Sequence, residues 1–256
     1  MISIIIPTKN RVSNLKKVLK TLNDNTLLPK QVEVVFYVDS DDTNTIDFLK
    51  TDVNKHLGKI PGTAIINKEK LKLADTYNYS FKKCKGDIIM YSADDVHFKT
   101  KNWDALIREE FDRYGDKVCL VFGADGMQPI GTLATHGFLS RRAIEQVGYV
   151  HPVGMGYNYS DNWLTDIYRK LDRLCYTPVY FEHCHWGAGK AEYDKTYQTG
   201  SDAPHDDSID LWRDSLEQRN EDVIKLREIL NPVQDRYPKG NSNKENLKSI
   251  YNIDSE

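Results

Sequence analysis

The chain has 256 residues, with 35 Lys and Arg against 38 Asp and Glu, a formal net charge of -3. That balance excludes a global field drawing the protein onto nucleic acid or anionic lipid, and the length suits one large domain or a domain with an appendage. Four scattered cysteines, Cys84, Cys119, Cys175 and Cys184, form no CxxC pair and suit reduced thiols in a cytoplasmic compartment. The apolar run Ile2 to Ile6 stops at Pro7, too short for a signal peptide or a membrane span, and no later run is long enough.

The first segment, Ile2-Ser3-Ile4-Ile5-Ile6, has the continuous apolar pattern of a strand buried on both faces. Asn10 is suited to cap a helix from Arg11 to about Asn23, with Leu15, Val18, Leu19 and Leu22 on one stripe. Strands follow over 32–38, 62–66 and 87–91, separated by helices over 45–56 and 72–83. This alternation predicts a mainly parallel sheet with helices on both faces. Beyond Asp95 the pattern predicts a helix over 103–114, strands over 117–123 and 134–140, and a short helix over 141–147. A Gly- and aromatic-rich loop spans 150–159, a helix 162–171 and a strand 175–185. Residues 187–204 read as a long polar loop of the lid-forming kind, and 207–230 have helical spacing. From Pro232 the chain is polar, a loosely docked tail.

Gly86-Asp87-Ile88-Ile89-Met90-Tyr91-Ser92-Ala93-Asp94-Asp95 is an apolar strand that stops at two adjacent acids. In an open α/β sheet, ligands bind beyond the carboxyl ends of the strands. Paired acids there suit a hard divalent cation, which recruits phosphate oxygens, although an acidic turn has the same composition. Pro7-Thr8-Lys9-Asn10-Arg11 after the first strand is either an anion-binding junction or a plain helix start. Asp39-Ser40-Asp41-Asp42 after the second is either a base or ribose acceptor or a turn with a helix cap. In Ser160-Asp161-Asn162, Asp161 is either a general base for a hydroxyl nucleophile or a helix cap. Along His183-Cys184-His185-Trp186, strand alternation sends both histidines to one face and Cys184 to the other. One of these histidines joining a carboxylate-bound Mn²⁺ or Mg²⁺ is more economical than a zinc site, since no second Cys/His cluster exists; a core or surface histidine is the alternative.

Taken in order, PTKNR, VDSDD, the Ala74-Asp75-Thr76-Tyr77-Asn78 helix, GDIIMYSADD, SDNW and HCHW resemble family 2 glycosyltransferases of the GT-A fold, over about residues 1–200. The resemblance implies an α/β, mostly parallel Rossmann-like sheet flanked by helices, occupying 1–205, with a C-terminal helix and polar tail over 206–256. It implies a nucleotide-sugar donor (a UDP-sugar favoured), Mn²⁺ or Mg²⁺, and an inverting hexosyl or pentosyl transfer to a hydroxyl. Position by position, Pro7, Thr8 and Arg11 would border the nucleobase and Asp39 would bond it. Asp94 would touch the ribose or sugar, Asp95 would hold the metal, and Asn78 and Lys190 would join the donor contacts. Asp161 matches the reacting base, and His183 or His185 a later metal or diphosphate contact. Ser92 departs from the family's first metal-motif acid, and Ser160-Asp161 from its Glu-Asp pair.

Two other readings remain at this point. A nucleotidyltransferase acting on a sugar phosphate would usually show a glycine-rich phosphate loop, which Pro7-Thr8-Lys9-Asn10 lacks; a non-catalytic nucleotide-sugar-binding module is the other. For the acceptor, Tyr149, Tyr157, Tyr159 and Trp163 offer a stacking platform or core. Lys82, Lys83, Lys85, Lys99, Lys101, Arg141 and Arg142 offer a phosphate-tracking patch or a solvated face. A glycan or a hydroxylated base in DNA fits, and the C-terminal helix offers a surface for a homo-oligomer.

Overall fold

In the computed structural model, residues 1–199 and 207–231 are described. Eight strands form the sheet: β1 (Ile2–Pro7), β2 (Val32–Asp39), β3 (Gly62–Asn67), β4 (Ile88–Tyr91), β5 (Val96–Phe98), β6 (Leu120–Ala124), β7 (Gly137–Ser140) and β8 (Leu174–His183). Their spatial order is β3-β2-β1-β4-β7-β6-β8-β5. The β3-β2-β1-β4 half is parallel throughout. In the other half β7 runs antiparallel to β4 and β6, while β8 is parallel to β6 and antiparallel to β5.

β1 lies inside the sheet because both of its faces are apolar. Ile2, Ile4 and Ile6 pack against Leu15, Val18, Leu19 and Leu22 of α1 (Val12–Asn25). Ile5 faces the opposite core, with Ala74 and Tyr77 of α4 (Leu73–Phe81), Ile144 of α6 (Arg141–Val147) and Ile167 of α7 (Ser160–Lys170). Each fully buried isoleucine contributes about 1.5–3 kcal/mol relative to exposure, so shifting β1 by one residue is heavily disfavoured.

Local chemistry moves several expected boundaries. The helix expected over 45–56 is two, α2 (Thr43–Thr51) and α3 (Val53–Leu57), hinged at Asp52. Asp42 caps α2 by accepting the Thr45 N–H at 3.1 Å. Asn10 does not cap α1: its φ is 56°, and its own N–H donates to Asp42 Oδ2 at 2.6 Å. The strand expected from Ala134 begins at Gly137, where an added Cβ would lie 2.6 Å from Tyr91 Oη. β5 was not expected, because three residues carry no readable period. α5 (Trp103–Asp112) follows it.

The 187–204 loop is partly ordered as a short 3-10 turn over Trp186–Ala188 and as α8 (Lys195–Thr199); 200–204 lie outside the described residues. The last helical segment breaks at Ser215 into α9 (Ser208–Asp214) and α10 (Leu216–Arg227). Val223 and Leu226 of α10 enter the same core as α6 and α7. Arg219 lies 3.6 Å above the Trp212 ring and donates to Asp166 at 2.8 Å, tying α9 and α10 to α7. Tyr149 donates to buried Asp222 and accepts from Trp163 Nε1 at 2.9 Å. Tyr149 and Trp163 therefore belong to this joint rather than to a stacking platform. The tail from Pro232 lies outside the described residues. No described helix is long and apolar enough to cross a membrane.

Candidate active site

The carboxyl ends of β1, β2, β4 and β8 open onto one cleft of about 800 Å³. Pro7, Thr8, Arg11, Asp39, Asp94, Asp95, Asp161, His183 and His185 all line it; Asn78 and Lys190 do not. Pro7 and His185, 178 positions apart in sequence, are thus brought to one place by strand order.

At the β1–β2 side, Lys9 Nζ donates to Asp39 Oδ2 at 2.6 Å. That bond raises the Lys9 ammonium above its ordinary range, so it stays charged. Tyr37, Leu71 and Leu73 supply apolar wall beside the pair. The combination offers a flat partner one apolar face and one hydrogen-bonding edge.

Arg11 is the central cation. Its Nη1 donates to Asp94 Oδ1 at 3.2 Å and lies 3.7 Å from Asp95 Oδ2. Its Nε and Nη2 both donate to Asp194, at 2.7 and 2.8 Å. Burial opposes the Arg11 charge, but these carboxylates outweigh it and lock the guanidinium in its charged form. Asp94 is pushed up to about 7, by burial first and by neighbouring Asp95 second. Burial also acts to raise Asp95, yet His183 leads the groups that overcome it and hold Asp95 below the usual carboxylate range.

On the β8 side, His183 Nε2 lies 3.5 Å from Asp95 Oδ1. Asp95 Oδ1 and His183 Nδ1 are both buried without a hydrogen-bond partner. His183 and His185 face the cleft while Cys184 turns away to His97 Nδ1 at 3.3 Å, as strand alternation requires. His185 Nδ1 accepts the Gly187 N–H at 3.1 Å, which ties that ring to its own turn. His183 is thus the histidine set against the acid. A buried carboxylate oxygen without a hydrogen-bond partner is costly in isolation, and a cation between it and His183 Nε2 would relieve it. The donor set of carboxylate plus imidazole fits Mn²⁺ or Mg²⁺ with further ligands from phosphate and water.

Asp161 sits in the first turn of α7 and accepts the Asn162 N–H at 2.8 Å. Burial raises its carboxyl to about 6, against that backbone bond. The helix expected from Asn162 starts two residues earlier: α7 begins at Ser160, and Tyr159 precedes it at φ 66°. Burial also drives His136 and His151 down to about 3, so both imidazoles are neutral. His151 stacks on Tyr77 at 4.6 Å, and His136 packs edge-on to His183 at 4.8 Å.

Two expected contacts are employed elsewhere. Asn78 Nδ2 donates to the His151 carbonyl at 2.8 Å, and its Oδ1 accepts the Val150 and His151 N–H groups, so it clamps the 150–159 loop. Lys190 pairs with Glu182 at 3.2 Å on the face of β8 away from His183. Among the described residues, His97, Glu182 and Cys184 are the group with three ligand atoms within 4.8 Å of one another. Glu182 there is already held by Lys99 at 3.0 Å as well as by Lys190. The basic patch is likewise dispersed: Arg141 donates to the Gly86 and Cys84 carbonyls, and Lys101 to the Asp24 carbonyl. Tyr157 and Tyr159 do line the cleft.

Sequence reasoning missed Asp194 and His136 and gave Tyr197 only a loop role. Tyr197 Oη donates to Asp95 Oδ2 at 3.0 Å, and its ring lies 4.1 Å beneath the Arg11 guanidinium. Asp194 is polar and lies in a loop, and His136 stands alone before a short strand. Neither carries a local pattern.

Acids, a histidine and a forked cation stand beyond the carboxyl edge of an open α/β sheet, where proteins of this class bind their ligands. The profile of Glycosyl transferase family 2 matches residues 3–198, and the chain belongs to that family. Its GT-A fold recurs in the mannosyltransferase PcManGT from Pyrobaculum calidifontis, solved with GDP-Man and Mn²⁺: 13% identity, TM-score 0.60, 89% of this chain and 73% of that one. It recurs in S. aureus TarS 1-349, at 14% identity and TM-score 0.56 over 71% of this chain and 60% of that one. The same TarS fragment with UDP-GlcNAc aligns at 14% identity and TM-score 0.56, over 75% and 61% of the two chains. The chain thus spans about 60% of that TarS fragment. No curated protein matches the sequence.

Proposed function

We propose that the protein is a metal-dependent inverting glycosyltransferase that moves a sugar from a nucleotide sugar, a UDP-sugar by preference, to an acceptor hydroxyl. The observation that carries this reading is Asp95 Oδ1, buried without a hydrogen-bond partner and 3.5 Å from His183 Nε2 in the cleft. Asp95 and His183 would hold Mn²⁺ or Mg²⁺, with His185 beside them. When bound, the cation would supply Lewis-acid stabilisation of charge on the departing diphosphate. The UDP-GlcNAc of the TarS fragment and the GDP-Man and Mn²⁺ of PcManGT support donor and metal class.

The chain's own residues account for the rest. Lys9 and Asp39 hold the base against Tyr37, with Pro7 and Thr8 closing that end of the cleft. Arg11 offers its fork to phosphate oxygens, and Asp94 faces the ribose or sugar. Inversion is a single displacement through an oxocarbenium-like state, so a base is needed only for the acceptor proton. Asp161 takes it: a buried carboxylate raised to about 6 is ionised at neutral pH yet basic enough to accept a proton late in bond formation. The acceptor is a glycan or a hydroxylated nucleobase, chosen by the 150–159 loop and its Tyr157. The four free thiols support a reducing, cytoplasmic setting.

A thermal-shift screen of nucleotide sugars with Mn²⁺ tests the reading, because a ligand bound only by the folded state raises apparent stability. Metal-dependent stabilisation by UDP- or GDP-sugars is expected. Stabilisation by a nucleoside triphosphate with sugar phosphate, and diphosphate release on mixing them, would replace it with nucleotidyl transfer. Donor binding with no transfer to any acceptor would leave a binding module.

A further inference from the structure

Resting on the nucleotide-sugar reading above, we propose that Asp194 and Tyr197 are built-in competitors of the donor. They occupy Arg11 and Asp95 in the free protein, and Asp194 must leave before phosphate binds, so the pair sets donor affinity. Asp194 directly precedes α8, and Tyr197 within that helix lines the cleft.

Asp194 grips Arg11 through two parallel hydrogen bonds, Nε to Oδ2 at 2.7 Å and Nη2 to Oδ1 at 2.8 Å. A planar guanidinium meets carboxylate and phosphate with the same fork, so Asp194 lies where a phosphate group would bind. Arg11 already faces Asp94 and Asp95. With Asp194 also on it, the guanidinium is engaged by carboxylates along both edges, and an arriving phosphate would meet Asp194 at the same N–H groups. Exchange of Asp194 for phosphate is the arrangement that avoids this.

The segment is tethered at two further points. Tyr197 Oη donates to Asp95 Oδ2 at 3.0 Å, which leaves Oδ1 as the open oxygen, and the Tyr197 ring supports Arg11 from 4.1 Å. Thr196 Oγ1 donates to the Lys9 carbonyl at 3.3 Å. Asp194 is also the most exposed member of the Arg11 cluster, at 39% against 8% for Arg11 and 6% for Asp94, so it can swing outward while Asp94 cannot. Its Oδ1 accepts the Thr196 and Tyr197 N–H groups at 3.0 and 3.2 Å, bonds an asparagine oxygen can keep. Asp194→Asn therefore weakens the hold on Arg11 without undoing the local turn.

The test is calorimetry of UDP and of GDP, each with Mn²⁺, against wild type, Asp194→Asn and Tyr197→Phe. A competitor that binds only the free state lowers apparent affinity by the population it withholds. Asp194→Asn should tighten nucleotide binding about three- to tenfold, as expected when a part-exposed ion pair is removed from the free state alone. Tyr197→Phe should tighten it by a smaller factor. Weaker or unchanged binding in Asp194→Asn, with wild type still binding, would overturn the competition and make Asp194 a permanent support of Arg11. Failure of both nucleotides to bind wild type and Asp194→Asn alike would overturn the donor reading and the competition with it.

Discussion

At the ends of β1 and β2 the charged groups arrive already paired. Lys9 meets Asp39, Asp42 holds the Asn10 and Thr45 N–H groups, and Arg11 meets Asp94. At the ends of β4 and β8 the same kinds of atom are buried without partners: Asp95 Oδ1, His183 Nδ1, His136 Nε2 and, beside them, Ser160 Oγ. Thr8 Oγ1 and Thr45 Oγ1 are exceptions on the paired side. A satisfied pair fixes the frame at little net energy, whereas an orphaned buried atom retains a desolvation cost of about 1–3 kcal/mol that a ligand can relieve. On the proposed function, the ends of β1 and β2 are a preformed seat, and the ends of β4 and β8 are where an incoming cation and acceptor would complete the site.

Substitutions on the two sides should differ in kind as well as in size. Asp161→Asn removes the base while leaving donor contacts alone. Its kcat should fall by roughly 10²–10⁴-fold with donor affinity unchanged, measured by turnover and calorimetry on one preparation. Asp95→Asn should lose about two orders of magnitude in metal-dependent donor affinity, since several kcal/mol of charge stabilisation depend on the cation. His183→Ala should follow Asp95→Asn at smaller size and exceed His185→Ala; the reverse order would move the metal toward the turn.

The pH response comes next. The base works only when ionised, so kcat should rise with pH through about 6 and level off above it. The stability consequence has the opposite sense. Folded Asp161 holds its proton more tightly than the unfolded chain, whose carboxyl has a pKa of 3.8, so stability declines as pH rises from about 4 through about 6. Asp161→Asn escapes that decline and should be more stable than wild type at pH 8, by about 3 kcal/mol at most. Urea denaturation of both at pH 4 and pH 8 checks it, and the gap should vanish at the acid end. On the paired side the smallest effect is expected. Lys9→Met should weaken donor binding only about three- to tenfold, because it loses one part-exposed ion pair. A larger loss than in Asp95→Asn would break the contrast between the halves.

The part of this architecture that lies in local pattern was legible from sequence. Ile2 to Ile6 announced a central strand, the end of GDIIMY placed Asp94 and Asp95 at the cleft, and period-two alternation set His183 and His185 on one face. What depended on distant chain was not legible. β5 exists because Val96–Phe98 finds β8 83–87 positions away in sequence: Val96 faces His183, and Phe98 faces Phe181. Asn10 looked like a cap, but Asp42 draws its N–H and turns it left-handed. Asn78 looked like a donor contact, yet the nearest unmet need was the backbone of 150 and 151. Asp194 is 183 positions from Arg11, and nothing around it in the chain signals an ion pair.

On the proposed function, Asp95 holds the cation that serves the donor diphosphate. Manganese EPR of the protein with UDP measures it directly, since bound Mn²⁺ drops out of the free-ion signal. Wild type should withdraw Mn²⁺ from solution, more strongly with UDP present, and Asp95→Asn should not. Equal uptake of Mn²⁺ by Asp95→Asn would contradict the claim.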